Sequence, residues 1–275
     1  MRHDFEKALF INKLVNIGKD VDRLYFGNEF CENLIPGINI LKERYVFAEK
    51  KKKNFTFVTP FVTDAGLDKL KILFAFLNQQ KDTEVVFSDW GVFYLLKNNF
   101  RNLIPVLGRL LTKQRRDPRM MKIFLDKQSQ IVIKTKQRKI IKIPKKVPPA
   151  LFEHHQASVI NTPVFQKFLL SEGIKRVEID NLIWKMNIDV PREIGVSIYF
   201  PYGYISTGRM CWRTCLSYAP CKKECKKYFF HLKHKSLPVP FYAKGNTIFY
   251  KSTRIDFENL QHLKNLRIVY QAKFL

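Results

Sequence analysis

From Asn54 to Asp89 the chain reads NFTFVTPFVTDAGLDKLKILFAFLNQQKDTEVVFSD. It opens with a run rich in Phe, Val and Thr (Asn54 to Phe61) and ends with another, Glu84 to Asp89; both compositions suit a pleated, half-buried strand. Between them, from Ala65 to Gln80, Leu67, Leu70, Leu73, Phe74 and Leu77 recur every three or four positions, which places them on one face of a helix. Strand, helix and strand in so short a span predict two parallel strands joined by a crossover helix.

The same unit repeats in both directions. Apolar runs at Asp22 to Gly27 (DRLYFG), Ile104 to Gly108 (IPVLG), Arg176 to Asp180 (RVEID), Gly195 to Phe200 (GVSIYF) and Leu266 to Tyr270 (LRIVY) predict further strands, with an eighth at the N-terminal Lys7 to Asn12. A second helical pattern covers Thr162 to Glu172, just before Gly173. Eight strands with intervening helices fit an α/β fold of the closed (β/α)8, TIM-like kind, with residues 1–275 as one domain. No GxGxxG fingerprint supports an open dinucleotide-binding sheet. Residues 113–149 interrupt the alternation. Their core, IVIKTKQRKIIKIPKK, alternates apolar and basic residues and predicts a basic β-hairpin or arm inserted into the barrel.

The formal net charge is +25 over 275 residues. Arg109 to Lys146 holds 14 Lys and Arg against Asp117 and Asp126, so 14 − 2 = +12 falls in that one segment. Such a charge points to an anionic partner: RNA through residues 113–149, an acidic protein or a lipid surface. Five cysteines, an odd number, and the absence of a secretory signal in MRHDFEKALFINKLVNIGKD imply a reducing, cytoplasmic setting. Apolar stretches such as Ile72 to Leu77 fall far short of the roughly twenty residues that cross a bilayer, so no membrane span is expected.

Four of the five cysteines lie within RMCWRTCLSYAPCKKECKK, as Cys211, Cys215, Cys221 and Cys225, and the fifth is Cys31. Clustered thiols point to soft-metal chemistry, either an iron–sulfur cluster or zinc. The C-x3-C-x5-C-x3-C spacing lacks the long separation between pairs that marks most zinc sites, and so favours iron and sulfur. Arg209, Arg213, Lys222, Lys223, Lys226 and Lys227 flank these positions and would favour thiolates. In a barrel, functional groups sit on the loops that follow the strands, and both Cys31 and the late group follow strands. Glu29, Asp89, Asn161, Glu178 and Asp180 lie at or just beyond expected strand ends and are candidates for a substrate pocket. Arg209 joins them as a guanidinium able to grip a carboxylate. His231 and His234 stand too close to Cys225 for a zinc finger. Tyr202, Tyr204, Trp212, Tyr218, Tyr228, Phe229 and Phe230 offer rings for packing or stacking. Neither HExxH nor GxSxG occurs, which argues against proteolysis.

Several segments resemble peptidase family U thirty-two, the collagenase-like group, and in particular its short iron–sulfur branch. These are YFGNEFC ending at Cys31, VVFSDWGV (Val85 to Val92), NTPVFQKFLLSEGIKRVEID (Asn161 to Asp180) and YGYISTGRMC before the Cys221 and Cys225 pair. The resemblance implies a four-iron four-sulfur cluster on Cys31, Cys211, Cys221 and Cys225. Cys215 is then left spare, although spacing alone leaves open a local quartet that uses Cys215 in place of Cys31. It also implies a role in oxygen-independent hydroxylation of a small molecule or of RNA, as an enzyme component or as one half of a heterodimer with a second family member. Zinc in a non-catalytic barrel is the alternative. Two departures stand out: the insertion at 113–149, and Pro201, Tyr202 and Gly203 where many catalytic members carry Val-His-Gly.

Overall fold

The computed structural model describes residues 5–271, apart from 118–119, 121–129, 138, 145–147, 212–213, 215–219, 236 and 238. Eight parallel strands close a barrel: β1 (Glu6–Phe10), β2 (Arg23–Gly27), β3 (Asn54–Val58), β4 (Glu84–Phe87), β5 (Ile104–Leu107), β8 (Arg176–Asp180), β9 (Gly195–Phe200) and β14 (Arg267–Gln271). Each overlaps one of the runs expected from the sequence. First and last strands zip the wall shut, with Ala8 opposite Val269.

Helix α1 (Ile38–Lys50) follows β2, α2 (Asp64–Leu77) follows β3 and α3 (Trp90–Asn99) follows β4. After β5 come the antiparallel hairpin β6 (Gln130–Lys134) and β7 (Ile140–Pro144), then α4 (Pro149–Gln156) and α5 (Pro163–Ser171). No α-helix among the described residues links β1 to β2 or β8 to β9, so the wall is less regular than strict alternation predicts. The largest departure lies between β9 and β14. The segment PYGYISTGR, which follows β9, contains β10 (Tyr202–Thr207), which joins β11 (Phe230–Leu232), β12 (Phe241–Lys244) and β13 (Thr247–Lys251) in an antiparallel sheet of order β10-β13-β12-β11. Among the described residues no helix is long and apolar enough to cross a membrane.

Period-two alternation sends one set of side chains into the barrel and the other under the helices. Ala8, Tyr25, Val58, Val86, Val106, Tyr199 and Val269 fill the interior, and Leu24, Phe57, Val85, Phe87, Val177 and Ile268 meet the helical layer. The amino-terminal end of the barrel is plugged by charge. Arg267 forks onto Glu84 at 2.6 and 2.9 Å and reaches Glu6 at 2.6 Å, while Arg23 bonds Glu6 at 2.7 Å. Burial alone would raise the Glu84 carboxyl, yet the bonds and charge of Arg267, with Arg23 and Arg176, hold it down at about 2. This end is structural, and the carboxyl-terminal end is where the chain leaves room.

Candidate functional site

Above the carboxyl-terminal ends of the strands, Arg109 is buried to 1% exposure. It lies two residues past the end of β5 and donates from Nε to Glu29 at 3.0 Å, and from Nη1 to Asp180 at 2.6 Å. Its guanidinium lies 3.7 Å from the centre of the Tyr199 ring. Arg116 completes the set, donating from Nε to the other Asp180 oxygen at 2.6 Å and stacking 4.0 Å from Tyr204. Gln114 locks the end of β8 by exchanging two bonds with the Asp180 backbone, at 2.7 and 3.1 Å. Burial opposes the charge on Arg109, but Glu29 and Asp180 more than offset it and hold the guanidinium protonated. Deeper inside, Glu178 accepts a 2.7 Å bond from the Tyr199 hydroxyl. Burial, with the nearby Glu29 charge, pushes its carboxyl up to about 8.

Beside this network opens a cavity of about 380 Å³, lined among others by Phe10, Phe26, Glu29, Cys31, Arg44, Cys225 and Lys244. Gly27 at its edge has φ +136°, and a Cβ there would fall 2.1 Å from the Val58 carbonyl oxygen, so only glycine lets β2 turn into the loop that carries Cys31. Asn28 then accepts the backbone N–H groups of Phe30 (3.1 Å) and Cys31 (2.8 Å) on its side-chain oxygen, which fixes the turn.

Of the cysteines expected as ligands, Cys31 and Cys225 line this cavity. Cys31, Cys211, Cys221 and Cys225 are all free thiols and half-buried. Burial pushes the Cys31 thiol up, and the neighbouring Cys225 and Cys221 raise it further. Cys225 is likewise raised by burial, then by Cys221 and Cys211. Thiols that act on one another in this way share one neighbourhood, although Cys31 comes from the β2 loop and the others from the loop between β10 and β11. Cys215 lies outside the described residues, as do Trp212, Arg213 and Tyr218. Among the described residues no three His, Cys, Asp or Glu side chains are grouped so as to hold a single metal ion.

The turn between β12 and β13 holds the two cysteine loops together. A Cβ on Gly245 would lie 3.5 Å from the Cys225 sulfur. Asn246 donates from its side-chain amide to the Phe30 carbonyl at 2.6 Å and the Gly208 carbonyl at 2.5 Å, tying the neighbour of Cys31 to the stretch before Cys211. Lys244, on the same turn, is lowered to about 8 by burial, with Cys225 acting in the opposite direction.

The remaining candidate residues separate. Glu29 lines the cavity, whereas Glu178 and Asp180 are fully buried and bonded within the protein. Asp89 caps α3, accepting the Gly91 N–H at 2.7 Å. Asn161 follows no strand end; it sits in a 3-10 turn before α5 and donates to the Asn187 carbonyl at 2.8 Å. Arg209 is exposed, bonds the Val62 carbonyl at 3.3 Å and lies over Phe61, away from the cavity's lining. Arg109, Arg116, Gln114, Lys244 and Asn246 were not anticipated. Two signals pointed to them: Arg109 lies two residues past a strand end, and FYAKGNTIFYK places a two-residue Gly-Asn turn between two strand-like runs. The segment from 113 is also less of a free arm than its charge implies, since Gln114 and Arg116 are buried against the barrel.

No family model matches this chain, and no significant match is found among curated proteins or solved structures.

Proposed function

We propose that this chain is an iron–sulfur protein in which Cys31, Cys211, Cys221 and Cys225 hold a four-iron four-sulfur cluster at the mouth of the barrel, beside a cavity that receives an organic substrate. The observation that carries the reading is the meeting of Cys31 with Cys225 on one cavity wall, from opposite parts of the sequence. The donor set fits such a group in two ways: it is all thiol, and Lys226 and Lys244 line the same cavity to offset the negative charge of a four-thiolate cluster.

When bound, such a cluster supplies one-electron redox chemistry. The protein's own residues do the rest. Phe10, Phe26, Phe30 and Phe249 give the cavity apolar walls, Arg109 fixes Glu29 at its floor, and Asn246 sets the distance between the two cysteine loops. We assign the site to oxygen-independent hydroxylation, the activity implied by the sequence resemblance.

The test is anaerobic purification with iron and acid-labile sulfide analysis. A brown protein with about four irons and four sulfides per chain is expected. Cys31→Ser should lose most of the iron, and Cys215→Ser should keep it. A colourless protein carrying one zinc, or iron retained in Cys31→Ser and lost in Cys215→Ser, overturns the assignment.

A further inference from the structure

The β6–β7 hairpin has one face of isoleucine positions and a second face on which aliphatic positions alternate with lysine. In register, Ile133 opposes Ile141 and Ile131 opposes Ile143, so isoleucine occupies one whole face; on the other, Val132 opposes Lys142 and Lys134 opposes Ile140. Val132, Ile133, Ile140, Ile141 and Ile143 are 43% to 59% exposed, and among the described residues none belongs to a hydrophobic cluster. An aliphatic strand face is ordinarily the buried one. From Lys127 to Phe152 the sequence has eight Lys and Arg and no Asp or Glu, and no aromatic residue precedes Phe152 there.

We propose that this hairpin is a peripheral anchor for an anionic lipid surface. The isoleucine face would enter the boundary between headgroups and acyl chains, and the lysines would meet the lipid phosphates. The two layers of such a surface match the two properties of the hairpin, apolar area and uncompensated positive charge. A ribbon only two strands wide lets lysine stems from the outer face reach around its edges, and its unpaired edge groups stay in the hydrated headgroup layer. The alternatives fit less well. A second copy would set eight positive charges against eight more. Single-stranded RNA is held by stacking on aromatic rings, which this segment lacks, and it would leave the isoleucines in water. An acidic protein would need a long apolar groove bordered by carboxylates, whereas a bilayer with anionic headgroups has both everywhere.

The test is sedimentation of the full chain with vesicles of phosphatidylcholine, alone or mixed with phosphatidylglycerol. Binding to the mixed vesicles only, weakening with salt, is expected. Ile133→Ser/Ile141→Ser and Lys134→Ser/Lys142→Ser should each lower the partition coefficient by about tenfold. Replacing residues 131–143 with a Gly-Ser linker should abolish binding with the thermal transition unchanged, which controls for misfolding. No binding to anionic vesicles at low salt, binding that survives the linker, or binding indifferent to the isoleucine substitutions overturns the proposal. So does an isoleucine-dependent dimer, or an RNA complex tighter than the vesicle complex.

Discussion

Arg109 and Glu29 meet at 3.0 Å although they lie 80 positions apart. The pair is buried from water on both sides, with Arg109 at 1% and Glu29 at 3% exposure. It therefore ties the loop after β5 to the loop that carries Cys31, inside a medium where a lone charge is costly.

Removing one partner leaves the other charge uncompensated. Arg109→Met is expected to lower unfolding free energy by roughly 3–5 kcal/mol in urea titrations, and Arg109→Met/Glu29→Gln should recover part of it because Glu29 is then neutral. Purely additive losses would show that the two side chains are not coupled.

Asn246→Ala should cost about 1–3 kcal/mol, since the substitution strands two carbonyl groups at the junction of the cysteine loops. Asn246→Asp should be worse, because it places a carboxylate against the Phe30 and Gly208 carbonyls. If the cluster assignment is right, both variants hold less iron per chain than the parent protein while Asn161→Ala does not. Equal iron in all three would deny Asn246 a positioning role.

The folded carboxyl of Glu178 keeps its proton up to about 8, whereas an unfolded one gives it up near 4.5. Stability from this group is thus full below 4.5 and is lost as pH rises through 8, at no more than about 1.4 kcal/mol per pH unit. Glu178→Gln cannot titrate, so its stability curve should be flatter over that window and should exceed the parent's above pH 8. Parallel curves in urea titrations at pH 5, 7 and 9 would refute this.

Glu84 behaves in the opposite sense. Its folded value of about 2 lies below the ordinary 4.5, so its contribution is present above 4.5 and is lost as pH falls toward 2. Glu84→Gln should lower stability at pH 7 by about 3–5 kcal/mol and weaken the acid dependence, as followed by circular dichroism between pH 2 and 6.

In metal-free protein, Cys31 and Cys225 should alkylate slowly at pH 7, because burial keeps both thiols protonated. Their iodoacetamide rates, resolved by mass spectrometry of peptides, should climb through and above pH 9. Rates that are already flat at pH 7 would mean that the thiolates form more easily than the site allows.

The barrel was legible because its strands are short, rich in β-branched and aromatic residues, and separated by helices or polar turns. Val85, Val86 and Phe87 are apolar in sequence and fully buried in the fold. The antiparallel sheet was hidden for a different reason: Tyr202 to Thr207 is broken by Gly203 and by a register shift between Tyr204 and Ser206, so its alternation fails locally. Arg109 and Arg116 were lost in a charge run, where composition records sign but not location. Glu29 and Asp180 stand at the mouth as the strand-end rule predicts, but they are already occupied by Arg109 and Arg116, which lie far from them in the sequence.

Because β14 must slot between β1 and β9, the wall cannot close until residues 267–271 have been made. Cys31 is synthesised more than two hundred residues earlier and waits in an open sheet until then. Assembly of the thiol site is therefore a late event in the life of each molecule, and any cluster it holds would have to be delivered to a chain already made past residue 271.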